Sequence, residues 1–129
     1  KEVTRLGLND VICNIGPVHE ENVPSLYSQC DGLLMPTLLE SFSGTYVEAM
    51  HHEIPIFTSD LDFAKGVCEQ AAFYFDPFKI DSIIESLISG FNDSDLIKSK
   101  CEEGNKVLQQ YSDWEHVFQS YNLIIDNIK

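Results

Sequence analysis

Four short apolar runs mark the first 77 residues: "VICNIG" (Val11–Gly16), "GLLMP" (Gly32–Pro36), "IPIFTS" (Ile54–Ser59) and "AAFYFDP" (Ala71–Pro77). Each is nearly continuous in hydrophobicity instead of alternating, and Gly, Pro, Ser or Asp closes each one. Strands covered on both faces, as in a parallel sheet, read this way. Helix-like segments separate them at Glu21–Cys30, Gly44–His52 and Phe63–Glu69. This alternation predicts an α/β fold, a partial doubly wound (Rossmann-like) parallel sheet of about four strands joined by right-handed βαβ units.

After Pro77 the period changes. Ile80, Ile83, Ile84, Leu87, Ile88 and Phe91 recur at helical spacing and predict a one-sided helix. "NDSD" (Asn92–Asp95) supplies a turn and a cap. A second helix carries Leu96, Ile97, Cys101, Val107 and Leu108, with Gly104 marking a close approach. "SDWE" (Ser112–Glu115) matches a capping box, so Trp114, Val117, Phe118, Tyr121 and Ile125 are expected to face inward from a last helix. The chain thus ends in a helical tail.

The totals bound the class. With 129 residues, 43% hydrophobic and 22% charged, this is one globular domain's worth of chain. No apolar run reaches the ~18 residues that suggest a membrane span, and no signal peptide opens the sequence. A cytoplasmic location is the expectation. The chain opens on Lys1, which suggests a piece of a longer protein or a processed start. A formal charge of −13 argues against nucleic acid as a partner. No Lys or Arg occurs between Arg5 and Lys65, so a ligand there is not held by this chain's own cations. Cys13, Cys30, Cys68 and Cys101 are scattered without metal-ligand spacing and read as reduced, buried thiols. His19, His51, His52 and His116 invite a metal or acid–base reading, against which packing and surface roles are the stronger expectation. His51 and His52 cannot share a helix face, so one is expected at the surface and the other packed.

The chemistry concentrates in "PTLLESFSGTYVEAM" (Pro36–Met50). Pro36 and Thr37 end a strand and Gly44 starts a helix, so Glu40–Ser43 form a strand-to-helix turn. Ligands of open α/β sheets bind outside the carboxyl ends of the strands, near such turns. Ser41, Ser43 and Gly44 are small enough to let a ligand approach the backbone. The first amides of the helix have no internal partner and favour phosphate. A carboxylate accepts from two neighbouring hydroxyls, so Glu40 and Glu48 on either side of those amides suit a sugar, a diphosphate and a ribose in that order. Two plain readings stand beside this one: Glu40 as a helix cap and Glu48 as a solvated helix residue. Tyr46, Val47 and Met50 read as helix-to-sheet packing.

This stretch fits P-[ST]-x-x-E-x-F-x-x-x-x-x-E-A-M, and "IPIFTSD" and "AAFYFDP" follow it. "IGPV" (Ile15–Val18) and "VPSLYSQCDGLLMP" precede it, and "YSDW" (Tyr111–Trp114) opens the last helix. Together these motifs resemble the C-terminal donor-binding domain of a retaining family 4 glycosyltransferase of the GT-B architecture. Residues 1–129 would be a partial copy of that nucleotide-sugar-binding domain, truncated on its N-terminal side. The resemblance implies that Glu40 is the catalytic-site acid touching the donor sugar, and that Glu48 holds the ribose. It implies phosphate contact around Ser41, Phe42, Ser43 and Gly44, and a base near the loop at Gly16 and Val18. The donor would be a UDP-, GDP- or ADP-sugar, with no cofactor and no metal. The reaction would be a hexosyl transfer in glycan or polysaccharide biosynthesis, beyond the reach of the isolated fragment. A non-catalytic sugar-phosphate-binding module or a protein-interaction domain of the same fold is the alternative.

Three positions depart from the family pattern. Its glycines flanking the Phe are Ser41 and Ser43. Its Gly before the third strand is Glu53, so the preceding helix is expected to end without a left-handed residue. Gly66 stands where an acid is usual. Two upstream βα units of the family, with their phosphate-binding cations, have no counterpart here, and neither does the N-terminal acceptor domain. Val11–Ile15 and Leu33–Met35 would then be strands whose intervening neighbours are missing. Self-association or rearrangement of the sheet is the expectation, and the longer enzyme has room for peripheral membrane contact.

Overall fold

A computed structural model describes residues 1–128. The chain begins with a short helix α1 (Glu2–Arg5) and a long irregular stretch. A single 3-10 turn (Glu20–Asn22) then leads into α2 (Val23–Tyr27). Strand and helix alternate from there as β1 (Leu33–Met35), α3 (Gly44–His51), β2 (Ile56–Ser59), α4 (Asp62–Cys68) and β3 (Ala72–Phe75). Three helices close the chain: α5 (Ile80–Phe91), α6 (Ser94–Leu108) and α7 (Trp114–Ile128). Among the described residues, no helix is long and apolar enough to cross a membrane.

The sheet is parallel and three-stranded, in the order β1-β2-β3, with Leu34 opposite Phe57 and Phe57 opposite Phe73. All four residues of the central strand β2 are buried, as its unbroken apolar run requires. On one face, α3, α4 and α6 bury Tyr46, Ala49, Met50, Ala64, Val67, Cys68 and Val107 against Ile56 and Ala72. On the other, α5 lays Ile83 and Leu87 on Phe57, Phe73 and Phe75. The Phe57 and Phe73 rings stack at 4.7 Å. Gly90 makes this fit: a Cβ there would stand 2.6 Å from the Phe57 ring. The close approach expected at Gly104 is present, where a Cβ would meet Met50 at 3.1 Å.

The structure corrects several expectations. Val11–Gly16 is not a strand, so the sheet has three strands instead of about four. Val11, Ile12 and Ile15 are exposed, and no strand among the described residues offers them a ladder. An extended segment with no neighbour leaves its amides to water and gains nothing by straightening. The helix expected over Glu21–Cys30 shrinks to the 3-10 turn and α2. The apolar face of α7 does not point inward: Trp114, Phe118, Tyr121 and Ile125 are exposed and Val117 is half-buried. Its cap is also displaced by one residue. The Asp113 carboxylate, not Ser112, accepts the His116 amide at 2.9 Å. Asp93 caps α6 as expected, accepting from the Leu96 amide at 2.9 Å.

Glu53 is a further correction. It takes φ +53° itself, so α3 does end in a left-handed residue although no glycine is present. That conformation costs roughly 1 kcal/mol for a side chain with a Cβ. Contacts to α6 offset it: Asn105 Nδ2 donates to Glu53 Oε1 at 3.0 Å, and the Cys101 thiol to the Glu53 carbonyl at 3.2 Å.

Candidate functional site

The turn leaving β1 is tied to the sheet by a buried polar relay. Thr58 Oγ1 donates to the Met35 carbonyl at 3.1 Å, and Tyr46 lies 2.7 Å from the same Thr58 oxygen. Because the threonine proton is committed to Met35, the tyrosine hydroxyl is the donor to Thr58. Burial, above all, raises the Tyr46 pKa, and nearby Glu40 adds to the shift. The relay joins the C-terminal end of β1, the middle of β2 and the first turn of α3. It therefore fixes where the α3 N-terminus points.

At that N-terminus, Ser43 is buried in extended backbone and makes no capping bond with its side chain. Its carbonyl accepts from the Tyr46 amide at 3.3 Å. Among the described residues, the amides of Gly44 and Thr45 have no acceptor. They carry the positive end of the helix dipole. A Cβ at Gly44 would meet nothing within 4 Å, so the space over this turn is open to solvent.

The flanking acids have different surroundings. Glu40 is half-buried, and its Oε1 accepts from the Ser41 amide at 3.1 Å, which removes that amide from the free donors of the turn. Glu48 is four residues past Gly44 and shares its helix face, with its side chain leaning back toward the N-terminus. Its Oε2 accepts from the Tyr27 hydroxyl at 2.9 Å. His52 follows on the same face and stacks on Tyr27 at 5.0 Å, while His51 is exposed, so the two histidines divide as expected. Phe42 is exposed and meets Tyr111 edge-on at 6.4 Å, which brings the segment after α6 over the turn.

The expected site residues thus fall into two groups. Glu40, Ser41, Phe42, Ser43, Gly44 and Glu48 are gathered on one turn and its helix. Gly16 and Val18 lie in an exposed loop, where the Gly16 amide donates to Asn14 Oδ1 at 3.0 Å and Gly16 has φ +70°. Among the described residues, no hydrogen bond or ion pair joins that loop to the turn. Sequence reasoning missed Tyr27 and Thr58. Both look like ordinary core residues, and only long-range packing shows which polar group each one meets.

Among the described residues, no Lys or Arg pairs with Glu40 or Glu48, in keeping with the absence of cations between Arg5 and Lys65 in the sequence. An open cleft of about 500 Å³ lined by Lys65, Glu69, Gln70, Tyr74 and Lys100 shares no residue with the turn. Its two cations are already engaged, Lys65 with Asp60 and Lys100 with the Gln70 carbonyl. We read that cleft as a solvated groove. Among the described residues, no group of three His, Cys, Asp or Glu side chains is placed to hold a metal ion.

Residues 1–107 match the sequence family described as "Glycosyl transferases group 1". The O-antigen chain mannosyltransferase B of Escherichia coli is 26% identical over 102 residues, which are 79% of this chain and 26% of that protein. The structure of a sucrose-phosphate synthase from Thermosynechococcus elongatus superposes with a TM-score of 0.83 at 17% identity, covering 98% of this chain and 32% of that one. That superposition establishes a shared Rossmann-like fold. The chain spans only about a quarter to a third of the length of these relatives.

Proposed function

The chain belongs to the glycosyl transferases group 1 family, and from that premise we propose that it is the donor-binding portion of a retaining glycosyltransferase of the GT-B, family 4 type. Such an enzyme moves a hexosyl group from a UDP-, GDP- or ADP-sugar to an acceptor during glycan or polysaccharide synthesis. The observation that carries the reading is the turn between β1 and α3, where the unpaired Gly44 and Thr45 amides follow Glu40 and precede Glu48 along the chain. The amides take the diphosphate, whose growing charge as it departs is the main electrostatic load of the reaction. Glu48 accepts from the ribose diol, and Glu40 accepts from hydroxyls of the sugar. Ser43 and Phe42 shape the wall of the turn, and the Gly16–Val18 loop supplies the side nearest the base. Segments beyond this chain contribute the cations and the acceptor site.

This reading predicts weak binding by the chain alone, at ~1 mM or worse, because a domain of formal charge −13 repels an anionic donor. Titration with UDP-, GDP- and ADP-sugars, followed by amide NMR shifts, is expected to move Gly44 and Thr45 first. Glu48→Gln is expected to weaken whichever donor binds by about tenfold, the loss of a charge-assisted hydrogen bond. Absence of any shift at Gly44 with all three donors overturns the reading, as does binding that ignores Glu48→Gln.

A further inference from the structure

The proposed ribose acid does not stand alone. Tyr27 reaches Glu48 from α2, a separate helix. The residue is 8% exposed, its ring is held flat against His52 with an interplanar angle of 9°, and its hydroxyl ends on Glu48 Oε2. The Glu48 side chain is otherwise exposed on the helix surface. A free glutamate at such a place samples several rotamers, and binding must give that freedom up. The Tyr27 bond sets one rotamer beforehand.

We propose that Tyr27 is a positioning residue that sets the diol specificity of Glu48, an inference that rests on the donor-site reading above. The lone-pair count supports it. A carboxylate offers about four acceptor positions over its two oxygens. Tyr27 takes one on Oε2, which leaves Oε1 and the second position on Oε2 for two vicinal hydroxyls, one per oxygen. Burial, and then the hydrogen bond to Glu48, push the Tyr27 pKa well above the ordinary tyrosine range, so its hydroxyl stays protonated and donates. Tyr27 touches no reacting atom. It acts through the geometry of the acid it holds.

The test compares UDP, GDP and ADP with their 2′,3′-dideoxy counterparts on the wild-type chain, Tyr27→Phe and Glu48→Gln. For the nucleotide that binds, Tyr27→Phe is expected to weaken the ribose form by about five- to tenfold, the scale of the rotamer freedom that Glu48 must then give up on binding. The dideoxy form is expected to bind the variant and the wild type equally. Equal weakening of both forms marks a merely structural role and overturns the inference. Full ribose-over-dideoxy preference in Tyr27→Phe, with that preference lost in Glu48→Gln, overturns Tyr27 alone and leaves the donor site standing. A wild type that binds no nucleotide at Gly44 removes the donor site, and this inference with it. Should Tyr27→Phe not fold, ring carbon shifts of Tyr27 in the labelled wild type decide: they are expected to move with the ribose form and not with the dideoxy form. The opposite result, or equal movement with both, overturns the inference.

Discussion

Cys68, the last residue of α4, is fully buried, and loss of solvent pushes its thiol from an ordinary 9.0 up to about 12. Burial also raises Cys101, which is half-exposed and donates to the Glu53 carbonyl. Cys13 and Cys30 are exposed, against the expectation of four buried thiols. A thiol-specific reagent at pH 8 is therefore expected to label Cys13 and Cys30 quickly, Cys101 slowly and Cys68 only on unfolding, as mass spectrometry of timed samples would show. Linkage adds a pH dependence. A raised thiol pKa gives stability that is whole below 9.0 and declines as pH rises toward about 12, because the unfolded chain releases the proton first. At this scale the sequence was partly readable. The burial of Tyr46 and Met50 followed from helical spacing, and the division of His51 and His52 from adjacency. The left-handed Glu53 and the Tyr27–Glu48 bond did not, because each depends on partners tens of residues away.

Helices α5 and α7 show what periodicity can and cannot say. In α5 the apolar stripe is wider than the surface it covers: Ile83 and Leu87 pack on the phenylalanines of β2 and β3, while Ile80, Ile84 and Ile88 remain exposed. In α7 the stripe is intact and no residue is buried. A repeating apolar face specifies that something should cover it, and does not specify that the same chain supplies the cover. The strand reading of Val11–Ile15 went astray for the same reason, since its apolar content was read without a neighbour to pair with. By contrast, β1, the Glu40–Ser43 turn and α3 were legible, because a strand ending at Pro36 and a helix starting at Gly44 are local decisions. For α7 the energetic consequence is direct. A helix of 15 residues with no packed face is marginal in water. Deleting residues 112–129 is expected to leave the thermal midpoint of the remainder within ~2 °C, since little buried area is lost. A fall of ~10 °C in calorimetry would mean that α7 packs on the sheet in solution.

The molecule as a whole exposes 9486 Å². A compact monomer of 14.6 kDa would expose ~6,900 Å². The excess is comparable to one partner's share of a large permanent interface, roughly 1,000–2,500 Å². It includes the outer face of α5, the apolar side of α7 and the region of Leu34 on β1, whose outer edge pairs with no described strand. In a solution of this chain alone, only other copies can cover that surface. Light scattering after size-exclusion chromatography is expected to give a mass above 14.6 kDa that rises with concentration. Added salt should strengthen the association, because it screens repulsion between chains of formal charge −13. A monomer at every concentration and salt level would show that the exposed faces are tolerated in water. The strand order has a different outcome for how the molecule is made. Since β1, β2 and β3 lie side by side in the order in which a ribosome delivers them, each new strand meets its neighbour as soon as it emerges. Among these three strands no pairing waits for a distant segment, so the loop-closure cost of each pairing is low.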